Sequence, residues 1–451
     1  MVDLMVNEQR SGTAGKDVPA GYKLTEVGVI PEDWVVISID DCTTKVGSGK
    51  TPTGGASVYI DSGRPFVRSQ NVDWGRLDLA DVVHITDETH NTFSGSEIQQ
   101  DDVLLNITGA SIGRCAKADF RVIGGNVNQH VCIIRTEAKK LSPSLLVELI
   151  NSNYGQNQID SYQAGGNREG LNFSQVKNLK FAITPNSFEQ TEIVRTLNDI
   201  NAFTLALENL IAKKQAIKAA AMQQLLTGKT RLPQFALRKD GSAKGYKKSE
   251  LGAIPEDWVV TSIGQFTDCC AGGTPSTKIS AYWGGTHPWM SSGELHLKQV
   301  YAVADYITDE GLVNSSTKYV PKNSVLVGLA GQGKTRGTVA INRIELCTNQ
   351  SIAAIFPSKH HSTEFLFYNL DSRYEELRSL STGDGGRGGL NLTIIRKLHL
   401  AFPPKEEQTA IATILSDMDK EIQTLQQRLD KTRQLKQGMM QELLTGKTRL
   451  I

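Results

Sequence analysis

The sequence has no apolar run approaching the roughly 18 residues of a membrane span. Its opening, MVDLMVNEQRSGTAGKD, lacks the basic start and apolar core of a secretory leader. A cytoplasmic protein with no membrane partner is the expectation. Cysteine is scarce. Cys42, Cys115, Cys132, Cys269, Cys270 and Cys347 form no C-x-x-C pair and have no companion His at zinc-ligand spacing, so no metal cage is expected and ordinary thiols in a reducing compartment are. An excess of either charge is missing too. Lys and Arg number 49 against 48 Asp and Glu, a net +1, so any basic surface must be local.

What is present is a long chain that repeats itself. At 451 residues, 39% hydrophobic and 22% charged, it is globular in composition and too long for one core. GYKLTEVGVIPEDWVV (Gly21 to Val36) recurs as GYKKSELGAIPEDWVV, 224 residues later. LLTGKTRL (Leu225 to Leu232) recurs unchanged, 218 residues later. Between these ends the match weakens but keeps its order. GKTP at Thr51 faces GGTP at Thr274, Asn128-Gln129 face Asn349-Gln350, and Leu171-Asn172 face Leu390-Asn391. Copies that agree at their edges and diverge in their middles point to one scaffold carrying two different readers. The period is far longer than a solenoid unit of about 20–50 residues, so two domains related by pseudo-twofold symmetry are expected.

Each copy has two parts. The first is rich in Gly and in short β-branched runs such as DVLLNIT, VCIIR and SVLVGLA, which read as buried strands, with helical stretches at Ser142 to Asn153 and Ser362 to Ser372. The second, from about Glu189 to Thr227 and Glu407 to Thr445, has no Pro and good helix formers throughout. Ile411, Leu415, Met418, Ile422, Leu425 and Leu429 step by 4 and 3, as a coiled-coil seam does. Ile193, Leu197, Ile200, Leu207 and Ile211 occupy matching places, with Thr204 and Lys214 weakening the stripe. At 1.5 Å per residue each helix would run roughly 58 Å, too long to stand alone, so an antiparallel pair is expected. Ser187 with Gln190 resembles a capping box; Lys405 stands where Ser187 would be, leaving the second cap unexplained. Gly228 and Gly446 sit where a helix end wants a left-handed residue. Trp34 and Trp258, in the shared opening motif, are expected in the core or against a helix.

A domain opening G-Y-K-x-[TS]-E-x-G-x-I-P-E-D-W, closing P-x-x-x-E-Q into a long helix, ending L-L-T-G-K-T-R-L, and then repeated, resembles the specificity subunits of Type I restriction-modification enzymes. The resemblance covers nearly the whole chain beyond the first twenty residues. It implies an α+β fold: two mixed α/β target-recognition domains separated by two long antiparallel coiled-coil helices. The boundaries expected are a tail at 1–21, a recognition domain at 22–185, a spacer helix at 186–230, and a linker at 231–245. A second domain at 246–403, a second helix at 404–447 and a tail at 448–451 follow. It implies partners as well: double-stranded DNA, read as two halves of a gapped asymmetric site, two adenine-methyltransferase subunits docked on the helices, and restriction-translocase subunits. S-adenosylmethionine and ATP with Mg would be held by those partners, with no cofactor in this chain. The residues agree on one independent point. The only Pro-Pro, Pro403-Pro404, lies in FPPK, so the N/D-P-P-F/Y tetrapeptide of adenine transfer is absent, and no nucleophile or acid–base constellation stands out.

One motif argues for an engine instead. GLAGQGKT, Gly328 to Thr335, fits the P-loop pattern after a strand-like run. A P-loop must open a helix so that stacked N–H groups meet phosphate, and RGTVAINR is a poor helix start. The equivalent stretch of the first copy, NITGASIGRCA, lacks Lys-Thr. A strand-turn-strand tip presenting Gln332, Lys334 and Arg336 to DNA, with Ser111 and Arg114 as first-copy counterparts, is the better reading. Arg and Lys read guanine, Gln and Asn read adenine, and Ser or Lys can hold phosphate. Further DNA-contact candidates are Lys50, Arg68, Gln70, Asn71, Ser292 and Glu294, and Arg168 and Arg387 in the Gly-rich segments. Asn128, Gln129, Asn349 and Gln350 are candidates too, or else amides bracing a sheet. The rival functions are a P-loop NTPase and a coiled-coil scaffold without sequence specificity.

Overall fold

The computed structural model describes residues 18–163, 170–331, 333–380 and 389–450. It divides into two compact units that do not follow chain order. One takes the chain up to Ala206 together with everything from Leu429 onward, and the other is Leu207–Arg428. Each unit therefore holds one globular domain, the first half of the helix that follows it, and the end of the other helix.

The globular part of the first unit is built on an antiparallel sheet in the order β1-β4-β2-β3. Here β1 is Thr43–Ser48, β2 Val103–Asn106, β3 Cys115–Lys117 and β4 Val131–Thr136. Every residue of β2 is buried, because the sheet has apolar neighbours on both faces. Val103, Leu105, Cys132 and Ile134 pack with the helix Pro143–Asn151. Leu104, Val131 and Ile133 pack against Val67, Val72 and Ile98 on the other side. A strand covered twice reads as a continuous apolar run, which is why DVLLNIT and VCIIR do not alternate. The second unit repeats the plan in the order β5-β9-β7-β8-β6. These strands are Cys269–Ala271 (β5), Gln299–Val300 (β6), Val325–Gly328 (β7), Val339–Asn342 (β8) and Ile352–Ile355 (β9). Its last pair, β6 with β8, is parallel. Burial lifts the thiols of Cys42 and Cys347 to about 11 and that of Cys132 to about 12, so these are inert at neutral pH.

The two long helices are Ser187–Leu225 and Lys405–Leu443, 39 residues each. Ile193, Leu197, Leu207, Ile211, Ile411, Leu415 and Leu429 along the expected seams are buried. In the second unit Lys214 bonds Glu421 at 2.6 Å and Lys218 bonds Asp419 at 2.5 Å. One number rises as the other falls, so the helices run antiparallel there. Lys214 occupies its seam position by pairing with a carboxylate. The first helix starts differently from expectation. Asn186, not Ser187, is the cap, its Oδ1 accepting from the N–H of Phe188 at 3.0 Å. Gln190 instead ties the helix to its domain, donating to the Thr184 carbonyl and accepting from the Ser142 N–H. Gln408 does the same work with the Pro403 carbonyl and the Ser362 N–H. That shared task explains P-x-x-x-E-Q without any common cap.

The shared ends of the repeat form a clasp, once in each unit. The LLTGKTRL at 443–450 seats on the IPEDW at 30–34, and the copy at 225–232 seats on the IPEDW at 254–258. Gly446 and Gly228 both have φ of 70°, and a Cβ there would come within 2.6 Å of the ring of Pro31 or Pro255. Tyr22 donates to the Gly446 carbonyl at 3.3 Å and Tyr246 to that of Gly228 at 3.1 Å. Arg449 lies 5.8 Å from the ring of the buried Trp34, and Arg231 at the same distance from Trp258. Each guanidinium bridges two carboxylates: Asp33 and the buried Glu189, or Asp257 and the buried Glu407. The expected linker at 231–245 is tied to the second unit as well, through Arg238 on Glu256 and Lys244 on Asp257, both at 2.7 Å.

This clasp gives a pH dependence of definite sign. Burial alone would raise the Asp257 carboxyl, but hydrogen bonds from Arg231 and Lys244 override it and hold the group at about 2, below its ordinary 3.8. A carboxyl lowered on folding contributes stability that is present above the unfolded value and lost as pH falls through the folded one. The window is therefore pH 4 to 2. Asp257→Asn should flatten the acid limb of thermal unfolding by about 2 kcal/mol across that window. An unchanged acid limb would refute the assignment.

Candidate nucleic-acid interface

In the first unit the C-terminal ends of β1 and β2 and the N-terminal ends of β3 and β4 lie at one edge of the sheet. The loops that leave them carry the candidates. Thr51 donates to the Gln129 amide oxygen, whose Nε2 lies 3.0 Å from His130 Nε2. His130 Nδ1 lies 2.5 Å from the Thr108 hydroxyl, and Lys50 stands 5.6 Å over the Phe93 ring. The second unit repeats the core of this arrangement, Thr274 donating to Gln350 at 2.6 Å. Gln129 and Gln350 are exposed, so each unit presents one glutamine amide oriented by a threonine. The paired GKTP and GGTP motifs signalled this in the sequence, though Thr51 and Thr274 were not singled out.

The tip loops follow strand pairing. Gly113 donates to the Asn106 carbonyl and Asn106 to that of Arg114; Gly337 donates to Gly328 and Gly328 to Thr338. The chain thus leaves β7 after Gly328 and returns into β8 as a hairpin, with no helix among the described residues there to aim N–H groups at phosphate. Titrating ATP into the isolated chain should give no saturable micromolar binding; binding abolished by Lys334→Ala would reinstate the P-loop. The register also corrects one correspondence. Arg114 faces Thr338, and Ser111 faces Thr335, because the second loop is two residues longer. Lys334 is exposed and Arg336 half-buried. The described residues that follow the Gly-rich segments adjoin these loops. Leu171 donates to the Ile107 carbonyl and Leu390 to that of Leu329, where a Cβ on Gly389 would come within 2.9 Å. Arg168, Gln332 and Arg387 lie outside the described residues.

Several candidates serve the scaffold instead. Asn71 is fully buried, its amide spent on Arg68 N–H, the Asp78 carbonyl and Asp81. Glu294 takes the same place in the second unit, accepting from the N–H groups of Ser291 and Ala304 at 3.0 Å each. Both are short-helix caps; burial removes Asn71 from any base, whereas the half-buried Glu294 is already occupied by two backbone donors. Arg68 is held by the Asp81 carbonyl at 2.8 Å and by the Tyr59 ring. Gln70 is exposed but bonded to Asp81, and Ser292 takes a 3.4 Å bond from Asn349. Asn128 and Asn349 accept from the His130 and Ser351 N–H two residues on, bracing a turn and not the sheet suggested as the alternative for these amides. Ser111 receives Asn106 Nδ2 at 3.1 Å, and Arg114 lies 3.4 Å from Asp73. Among the described candidates, those that remain are Lys50, Ser111, Arg114, Gln129, Lys334, Arg336 and Gln350.

Comparison with known proteins gives a consistent result. A family model, the Type I restriction modification DNA specificity domain, matches residues 31–219 and again 255–433. The chain is 26% identical over 444 residues to the MjaX type I restriction enzyme specificity subunit, a provisional assignment in Methanocaldococcus jannaschii. That match covers 95% of this chain and 97% of the relative. Among solved structures, a chain from work on complex assembly and conformational transition of the type I R-M system superposes with a TM-score of 0.56 at 16% identity, covering 93% of this chain and 99% of that one. The type I restriction-modification S subunit from M. genitalium gives 0.55 at 13% identity, covering 91% and 96%. These two likenesses establish a common fold.

Proposed function

This chain belongs to the Type I restriction-modification DNA specificity family, and on that premise we propose that each of its units reads one half of a gapped, asymmetric site in double-stranded DNA. The reading surface is the loop end of the sheet. Gln129 and Gln350 offer oriented amides for adenine N6 and N7, and Lys334 and Arg114 offer donors for guanine or phosphate. The observation that carries this reading is that two units sharing a common four-strand sheet order, to which the second adds one strand, end in loops of different length and sequence. The long helices set the spacing and dock two adenine-methyltransferase subunits, which restriction-translocase subunits join. S-adenosylmethionine belongs to the methyltransferase and ATP with Mg to the translocase; this chain recognises DNA and leaves the chemistry to them.

The methylome of cells carrying the full system should show adenine methylation at one gapped, two-part site. Persistence of that pattern after deletion of this chain would sink the reading. A scaffold without specificity would bind any duplex equally, through the salt-dependent phosphate term alone. Gel-shift competition in the presence of the methyltransferase separates the two.

A further inference from the structure

Trp74 stands 50% exposed on a turn that is otherwise firmly anchored. Val72 and Leu77 pair across it, the Asp73 N–H donates to the Arg76 carbonyl at 3.0 Å, and Gly75, at φ 74°, donates to the Cys115 carbonyl at 2.9 Å. Cys115 opens β3, so this turn sits beside the tip loop. The carboxylate of Asp73 lies 3.4 Å from both Arg76 and Arg114. A half-exposed indole forgoes much of the burial that normally accounts for a tryptophan's place in a fold.

The second unit repeats the feature in altered form. Three residues after the capping Asn71 comes Trp74; three residues after the capping Glu294 comes Leu297, 47% exposed. Each precedes a left-handed residue, Gly75 in one case and Lys298 at φ 62° in the other. A non-glycine residue held there is strained, and such strain persists where the surroundings enforce it. The carbonyl of Lys298 is fixed by the Ile341 N–H at 2.8 Å. Two diverged middles have thus kept an outward apolar side chain at one place while changing its shape.

We propose that Trp74 and Leu297 are the apolar readers of their half-sites, each packing on the apolar surface of a base while the glutamines and cations take its polar edges. DNA offers such a surface as the thymine methyl in the major groove or as a base face opened at a flexible step. The inference rests on the DNA-reading function above. The different shapes of indole and isobutyl give the two half-sites different steric requirements.

The test uses the full chain assembled with its methyltransferase, and fluorescence anisotropy on two duplexes, one carrying the methylome-mapped site and one with that site scrambled. Trp74→Ala should bind the mapped site about ten-fold or more weakly while binding the scrambled duplex within about two-fold of the parent. Trp74→Phe, which keeps an aromatic face, should recover most of the loss, and Leu297→Ala should repeat the effect of Trp74→Ala. Equal weakening on both duplexes, or a change below about two-fold on the mapped site, overturns the proposal. Failure of the parent complex to distinguish the duplexes overturns the DNA-reading assignment itself, which keeps the two failures apart. Unchanged thermal unfolding of the alanine variants excludes a folding defect.

Discussion

Arg231→Ala is expected to destabilise its unit by roughly 3–5 kcal/mol, far more than the ~0–1 kcal/mol of an exposed ion pair. The difference lies in what the substitution leaves behind. Arg231 bonds Glu407 at 2.6 and 2.7 Å and Asp257 at 2.9 and 3.1 Å, and Glu407 is buried. Without the guanidinium, that carboxylate is left with the Trp258 indole N–H, at 3.2 Å, and no cation in place of Arg231 among the described residues. A buried charge without its counter-ion is among the few defects that cost this much. Arg449→Ala should act in the same direction on the other unit, through the buried Glu189, and somewhat less, since 23% of the Arg449 side chain is exposed against 7% for Arg231. Lysine should restore little, because one ammonium cannot offer paired donors to two carboxylates. Adding Glu407→Gln to Arg231→Ala should recover part of the loss by removing the stranded charge. Urea unfolding followed by tryptophan emission reads all four variants. A loss under about 1 kcal/mol for Arg231→Ala would show that water reaches Glu407 and that the clasp is a surface feature.

The clasp also marks where sequence reasoning stopped. LLTGKTRL and IPEDW were both legible as repeated motifs, but repetition identifies a motif without identifying its mate. The contacts of Arg449 with Asp33 and of Tyr22 with Gly446 join residues more than 400 positions apart. The long helices were legible because a heptad seam is a local pattern, and the buried strands because apolar runs between turn residues are local too. The GLAGQGKT hairpin was legible from the poor helix start that follows it. The interface was legible only in part. Residue type suggested Asn71, Glu294 and Arg68 as readers, yet type carries no information on burial, and all three hold turns together. Thr51 and Gln129 stood in recognised motifs, but their pairing depends on sheet register. Trp74 is polar-flanked and turn-bound in the sequence, and only its exposure separates it from a core tryptophan.

A fragment of residues 1–238 should dimerise, and with the methyltransferase should direct methylation to a symmetric site. It contains one complete socket, made by Tyr22, Pro31, Asp33, Trp34 and Glu189, whose tail at 443–450 is missing. It also contains one tail, 225–232, whose socket is missing. The two tails are identical in sequence, and each offers the same glycine, carbonyls and arginine to its socket. Two copies can therefore each fill the other's socket, and a self-complementary exchange of this kind closes with twofold symmetry. The helix seam is less interchangeable. Lys214, which meets Glu421 in the intact chain, would lose that partner, since the residue 218 positions earlier is Phe203. The dimer should accordingly tighten on Lys214→Leu, an outcome that distinguishes pairing through this seam from incidental association. Sedimentation equilibrium gives the stoichiometry, and methylated-site mapping gives the symmetry. A monomeric fragment would mean that identical tails are not sufficient for exchange, and that seam charges such as Lys214 and Glu421 decide which helices pair.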